Sequence, residues 1–170
     1  AAGLAYVIDF IEHMRFSDED IAYLATCTGN DGKPLFDKEF FAYLRDIQFS
    51  CDVDAVPEGT VVFPHEPLIR VKGPLIQAQI VETALLNMIN FQTLIATKAA
   101  RVCCAAEGDP VIEFGLRRAH GIDGGLTVSR AAYIGGCVGT SNVLAGKKFG
   151  MPVKGTVAHS WIMAFDSEYE

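Results

Sequence analysis

Three short stretches concentrate groups able to handle an anion: FGLRRAHG at 114–121, GTSN at 139–142 and GTVAHS at 155–160. Each follows a run that reads as a strand, and in parallel α/β chains reactive groups gather beyond the C-terminal strand ends. If the three strands are neighbours, one rim holds Arg117, Arg118, Thr140, Ser141, Asn142, Thr156, His159 and Ser160. Two guanidiniums supply forked donors for phosphate or carboxylate oxygens, hydroxyls and helix N-terminal amides add neutral donors, and one imidazole supplies a nucleophile or base. Each part also has an ordinary structural reading. The arginines can pair with Glu113 or Asp123, Ser141 can simply cap a helix, and a histidine after an apolar run can be merely hydrogen-bonded. Residue types and spacing together reach a phosphate-handling α/β enzyme.

His13, His65 and His120 lack comparable surroundings, and His13 and His65 read as surface residues. The chain has no Walker loop, G-x-G-x-x-G turn or nucleophile elbow. Its five cysteines, Cys27, Cys51, Cys103, Cys104 and Cys137, form no C-x-x-C or zinc spacing. They are expected to be reduced and mostly buried, and no protein metal site is expected. Adjacent Cys103 and Cys104 make a poor redox pair, because neighbours on a helix point about 100° apart.

The elements that must position this rim differ along the chain. In the first part, Ser17–Asp20 has the form of a capping box, and Asp37 caps a helix whose Phe40, Phe41, Leu44 and Ile47 share an apolar face. Strands are expected in FSCDVDAV, in TVVF (60–63) and in PLIRVKG, separated by Pro and Gly turns. Pro74 suits the first position of a helix that runs to about residue 106, with a break conceivable near Asn87 to Asn90. From residue 110 the rhythm is strand, loop, helix. VIEFG, GGCVGT and VKGTVAHS read as strands, DGGLTVSRAAYI as a helix, and SNVLAGKKFG as a helix capped by Ser141 and closed by Gly150. No helix is expected after the last strand before the DSEYE ending. Three segments follow: 1–73 mixed α/β, 74–109 a long helical connection, and 110–170 successive βα units of a β/α barrel or an open sheet.

The 170 residues suffice for a sizeable core, and half are apolar. The formal net charge of -7 disfavours an extended nucleic-acid partner. Polar residues interrupt every apolar run below the length that spans a bilayer. The opening AAGLAYVIDFIEHMRF has no signal-peptide pattern and no initiator Met, so a cut N-terminus is expected, while the cysteine usage leads to the expectation of a cytoplasmic location.

Longer motifs narrow the reading. VVFPHEPLIRVKGPL, VETALLNMINFQTLIATKAARV, FGLRRAHGIDGGLTVSRAAYIGGCVGTSNVLAGKKFG and GTVAHSW occur in order and closely resemble the central region of nicotinate phosphoribosyltransferases. The resemblance covers nearly the whole chain. It implies a type II phosphoribosyltransferase of the α/β class, with an α+β sandwich-like domain and an irregular β/α barrel, assembled as a homodimer. It also implies nicotinate, phosphoribosyl pyrophosphate and ATP as substrates, with Mg²⁺ accompanying the phosphates. His159 matches the phosphate-accepting histidine, and Thr156 a nicotinate-contacting position with Ser160 beside it. Arg117 matches a phosphate-binding arginine, with Arg118 next to it, and Phe114 an aromatic that stacks on the pyridine. Nicotinamide-specific relatives place an acid near Ser141, so the hydroxyls of Thr140 and Ser141 favour nicotinate. A nicotinamide-using enzyme and a non-catalytic family member are the alternatives. Family segments on either side of these motifs are not among the 170 residues, so the segment alone is expected to be inactive.

Overall fold

The computed structural model describes residues 1–167; the final three residues of the DSEYE ending lie outside the described residues. The chain is of the α/β class and forms two compact units, interleaved along the sequence rather than divided at 73 and 109.

One unit comprises residues 4–55 and 67–88. It contains helices α1 (Leu4–Glu12), α2 (Asp18–Leu24) and α3 (Lys38–Arg45), strands β1 (Asp52–Ala55) and β2 (Ile69–Lys72), and the first half of α4 (Leu75–Ala105). The predicted capping box at α2 is present. Ser17 Oγ accepts from the Asp20 amide at 3.1 Å while the Asp20 carboxylate accepts from the Ser17 amide at 2.8 Å. These bonds hold the Asp20 carboxyl below its ordinary pKa. Asp37 caps α3 by accepting from the Phe40 amide at 2.7 Å, and Leu44 of α3 is buried, as are Val7, Ile21, Val81 and Leu85 of the same unit. β1 and β2 are antiparallel, with Asp54 opposite Arg70 and a 2.8 Å ion pair joining them. The buried Gln77 of α4 accepts from the Ser50 amide and donates to the Gln48 carbonyl, which anchors the approach to β1.

The other unit comprises residues 1–3, 56–66 and 89 onward. It holds the second half of α4, β3 (Ile112–Glu113), a 3₁₀ turn (Leu116–Arg118), α5 (Gly121–Ile134), β4 (Gly139–Thr140), α6 (Val143–Phe149) and α7 (His159–Ile162). β3 and β4 are parallel, Ile112 opposite Gly139 and Glu113 opposite Thr140, and a further parallel bridge joins Thr140 to Val153. Gly135, at the end of α5, lets that helix approach α4, since a Cβ there would lie 2.5 Å from the Ala96 carbonyl oxygen. Arg130 of α5 makes a forked pair with Glu58 at 2.8 and 2.7 Å, and Glu58 also accepts from the Gly3 amide.

Several expectations need correction. TVVF (60–63) is not a strand: Thr60 and Gly59 hydrogen-bond to Ala1, which takes the place of a sheet neighbour. α4 is continuous through Asn87 and Asn90, whose exposed side chains stay solvated and leave the helical bonds intact. Pro74 precedes α4, accepting its first bond from the Ala78 amide. The cysteines are free but not mostly buried: Cys137 is buried and Cys104 exposed. The thiol beside Cys137 is Cys103, and burial followed by the charge of that neighbour raises the Cys137 pKa to about 11. VKGTVAHS pairs only at Val153, because no described strand flanks it beyond Lys154; it then runs irregularly into α7, a helix where none was expected. No helix among the described residues is long and apolar enough to cross a membrane.

Candidate active-site rim

The sheet order β3, β4, Val153 brings the three anion-handling stretches to adjacent strand ends. Thr140 fixes that order. Its amide donates to the Pro152 carbonyl and its carbonyl accepts from the Lys154 amide, both at 3.0 Å. Gly139 permits the approach, since a Cβ there would sit 2.7 Å from the Pro152 carbonyl oxygen.

After β3, Phe114 is 45% exposed. The chain then tightens into the 3₁₀ turn that carries Arg117 and Arg118 into solvent. Among the described residues neither arginine forms an ion pair, so the alternative of pairing with Glu113 or Asp123 is not realised. Glu113 is instead turned inward, where hydroxyls and an amide occupy its oxygens. Both guanidiniums therefore remain available to an anion.

After β4 the side chains divide by direction. Thr140 is fully buried and its hydroxyl donates to Glu113 at 2.7 Å, so it is not an open donor at the rim. Ser141 is half-buried, and its amide donates to the Glu113 carbonyl at 2.9 Å. Ser141 does not cap α6. Asn142 does, accepting from the Ala145 amide at 3.1 Å, while its own side-chain amide reaches the Gly125 carbonyl at 3.4 Å. The Ser141 hydroxyl is thus released from capping. Gly150 closes α6 in the left-handed conformation, φ 67°.

After Val153, Thr156 is exposed in the irregular segment, and His159 and Ser160 open α7, both exposed. The imidazole is reachable from solvent. His120 precedes α5, and His13 and His65 are exposed, as expected. Among the described residues no group of three or more His, Cys, Asp or Glu is placed to hold a metal ion.

Glu113 was missed as part of this rim. It appears in the sequence as the charged end of an apolar run, and its partners Ser129 and Thr140 are 16 and 27 residues away. No local spacing announces that contact.

Comparison with known proteins gives one consistent result. Residues 1–90 match the nicotinate phosphoribosyltransferase N-terminal domain and residues 110–169 the nicotinate phosphoribosyltransferase family. A nicotinate phosphoribosyltransferase of Mycobacterium tuberculosis is 49% identical over 168 residues, covering 99% of this chain and 35% of that protein. One from Caenorhabditis elegans is 47% identical over 171 residues, covering 99% of this chain and 30% of its own length. The crystal structure of human nicotinic acid phosphoribosyltransferase superposes with a TM-score of 0.84 at 44% identity, covering 97% of this chain and 33% of that one. A nicotinate-nucleotide pyrophosphorylase structure from Pyrococcus furiosus matches 67% of this chain and 29% of its own, with a TM-score of 0.64 at 40% identity. The chain spans about a third of the length of the relatives it matches.

Proposed function

From the premise that this chain belongs to the nicotinate phosphoribosyltransferase family, we propose that the protein containing it joins nicotinate to phosphoribosyl pyrophosphate. The products are nicotinate mononucleotide and pyrophosphate, a step of NAD salvage. The observation that supports this reading is the parallel alignment of β3, β4 and the Val153 bridge, followed along the chain by two arginines without an ion pair among the described residues, by Ser141 and by the irregular segment that leads to His159.

The pyridine nitrogen attacks the anomeric carbon as pyrophosphate leaves, so positive charge grows on the sugar and negative charge on the leaving group. The protein has little covalent work to do and acts chiefly by holding charge in place. Arg117, with Arg118 beside it, offers forked donors to phosphate oxygens. Phe114 offers a ring face to the pyridine. Thr156 and Ser141 offer hydroxyl donors to the nicotinate carboxylate, and Ser160 lies next to the acceptor histidine.

His159 takes a separate step. A neutral imidazole nitrogen attacks the γ-phosphorus of ATP, the bond to the β–γ bridging oxygen breaks, and ADP leaves. Water later cleaves the phosphohistidine to inorganic phosphate. The free energy of that hydrolysis, coupled to a conformational change, assists transfer. The family's homodimeric assembly and a cytoplasmic location belong to the same proposal.

Incubating the full-length chain with γ-labelled ATP tests the role of His159. The expected result is acid-labile label on His159, with label and ATP stimulation both lost in His159→Ala. Label persisting in His159→Ala overturns the assignment.

A further inference from the structure

We infer that Glu113 is a positioning residue for the nucleotide-forming reaction, setting the place of the Phe114–Arg118 loop relative to Ser141. This rests on the proposed function of the rim. Glu113 ends β3 and is 8% exposed, and among the described residues its carboxylate forms no ion pair. A buried carboxylate is costly unless donors surround it. Here three donors converge from three elements. Oε1 accepts from the Gly115 amide, the first bond of the loop bearing Arg117. Oε2 accepts from Ser129 Oγ of α5 at 2.9 Å and from Thr140 Oγ1 of β4 at 2.7 Å.

The ties continue outward. Thr140 Oγ1 accepts from the Asn142 amide at 3.0 Å, and the Glu113 carbonyl accepts from the Ser141 amide at 2.9 Å. One residue therefore holds both the turn into the arginine loop and the start of the Ser141 loop. The loop folds directly over the carboxylate, since a Cβ on Gly115 would lie 2.9 Å from Oε1. Glu113 is buried and its carboxylate oxygens are taken up by these donors, so it acts through Phe114, Arg117 and Ser141 and not on substrate.

The bonds demand reach more than charge. A glutamine at 113 presents its oxygen to the Gly115 amide and its two N–H groups to the two hydroxyls. Those hydroxyls can then turn their own hydrogens elsewhere: Ser129 to the Gly125 carbonyl at 3.0 Å, and Thr140 to Ser129 at 3.2 Å. Aspartate keeps the charge but draws the carboxylate back by about 1.5 Å, the length of one carbon–carbon bond. It cannot serve Gly115 and both hydroxyls together.

The test compares E113Q, E113D and E113A in a full-length chain carrying this segment, with thermal melting and steady-state kinetics for nicotinate and phosphoribosyl pyrophosphate. E113D and E113A are expected to raise both KM values by about tenfold or more, the scale of an ångström-level misplacement. E113Q is expected to bring them back to within about threefold of the parent. Three outcomes overturn the inference: E113Q as impaired as E113A, E113D with parental KM values, or E113A and E113D failing to fold while E113Q is fully active. If the parent forms no nucleotide from nicotinate, the proposed function fails, and this inference falls with it.

Discussion

Arg117 shows how one residue's surroundings separate a binding role from a structural one. Its side chain is exposed and has no acidic partner among the described residues. Removing it therefore leaves no buried group unsatisfied, and surface substitutions of that kind change stability by about 0.5 kcal/mol or less. A charge-assisted hydrogen bond to phosphate contributes about 1.5–3 kcal/mol, roughly tenfold to a hundredfold in affinity. Arg117→Ala should raise the KM for phosphoribosyl pyrophosphate by that factor in steady-state assays while the melting temperature stays within about 1 °C. A large fall in melting temperature with an unchanged KM would return the arginine to a structural role. Glu113 is the opposite case. Its charge in the sequence suggested a partner for the arginines, yet tertiary packing turns it inward against Ser129 and Thr140.

At the scale of elements, local rules were legible wherever the controlling atoms lie within a few residues. The Ser17 box and the Asp37 cap bond over three positions and Gly150 adopts its left-handed conformation by residue type, so the sequence contains the whole signal. The α6 cap shows the limit of that legibility. Ser141 and Asn142 are both good caps by type, and the choice falls to Asn142 because the Ser141 amide is drawn to the Glu113 carbonyl. Asn142→Ala should therefore cost about 1 kcal/mol locally. Hydrogen exchange at the Ala145 and Gly146 amides should quicken about fivefold, whereas Ser141→Ala should leave it unchanged. Faster exchange in Ser141→Ala alone would reverse the assignment. The strand expected over 153–160 misled for a related reason. Strand formation needs a neighbour, and beyond Lys154 the described chain supplies none. His159 is consequently presented by the first turn of a short helix and not by a strand end.

For the whole molecule, the sequence order of elements was readable but the division into units was not. Residues 56–66 return to Ala1–Gly3 and to α5 through Glu58 and Arg130, contacts 55 and 72 positions apart. Hydrophobic periodicity carries no information about such distant pairs. The order of the three motifs along the chain was readable, and the parallel pairing of β3 with β4 and of Thr140 with Val153 aligns the backbone that leads into them. The central claim is that this place serves transfer of phosphoribose to nicotinate. It is tested most directly by giving the full-length chain equal nicotinate and nicotinamide with phosphoribosyl pyrophosphate and ATP, then resolving the nucleotides formed. The account predicts nicotinate mononucleotide as the dominant product; nicotinamide mononucleotide in its place, or no nucleotide at all, would contradict it.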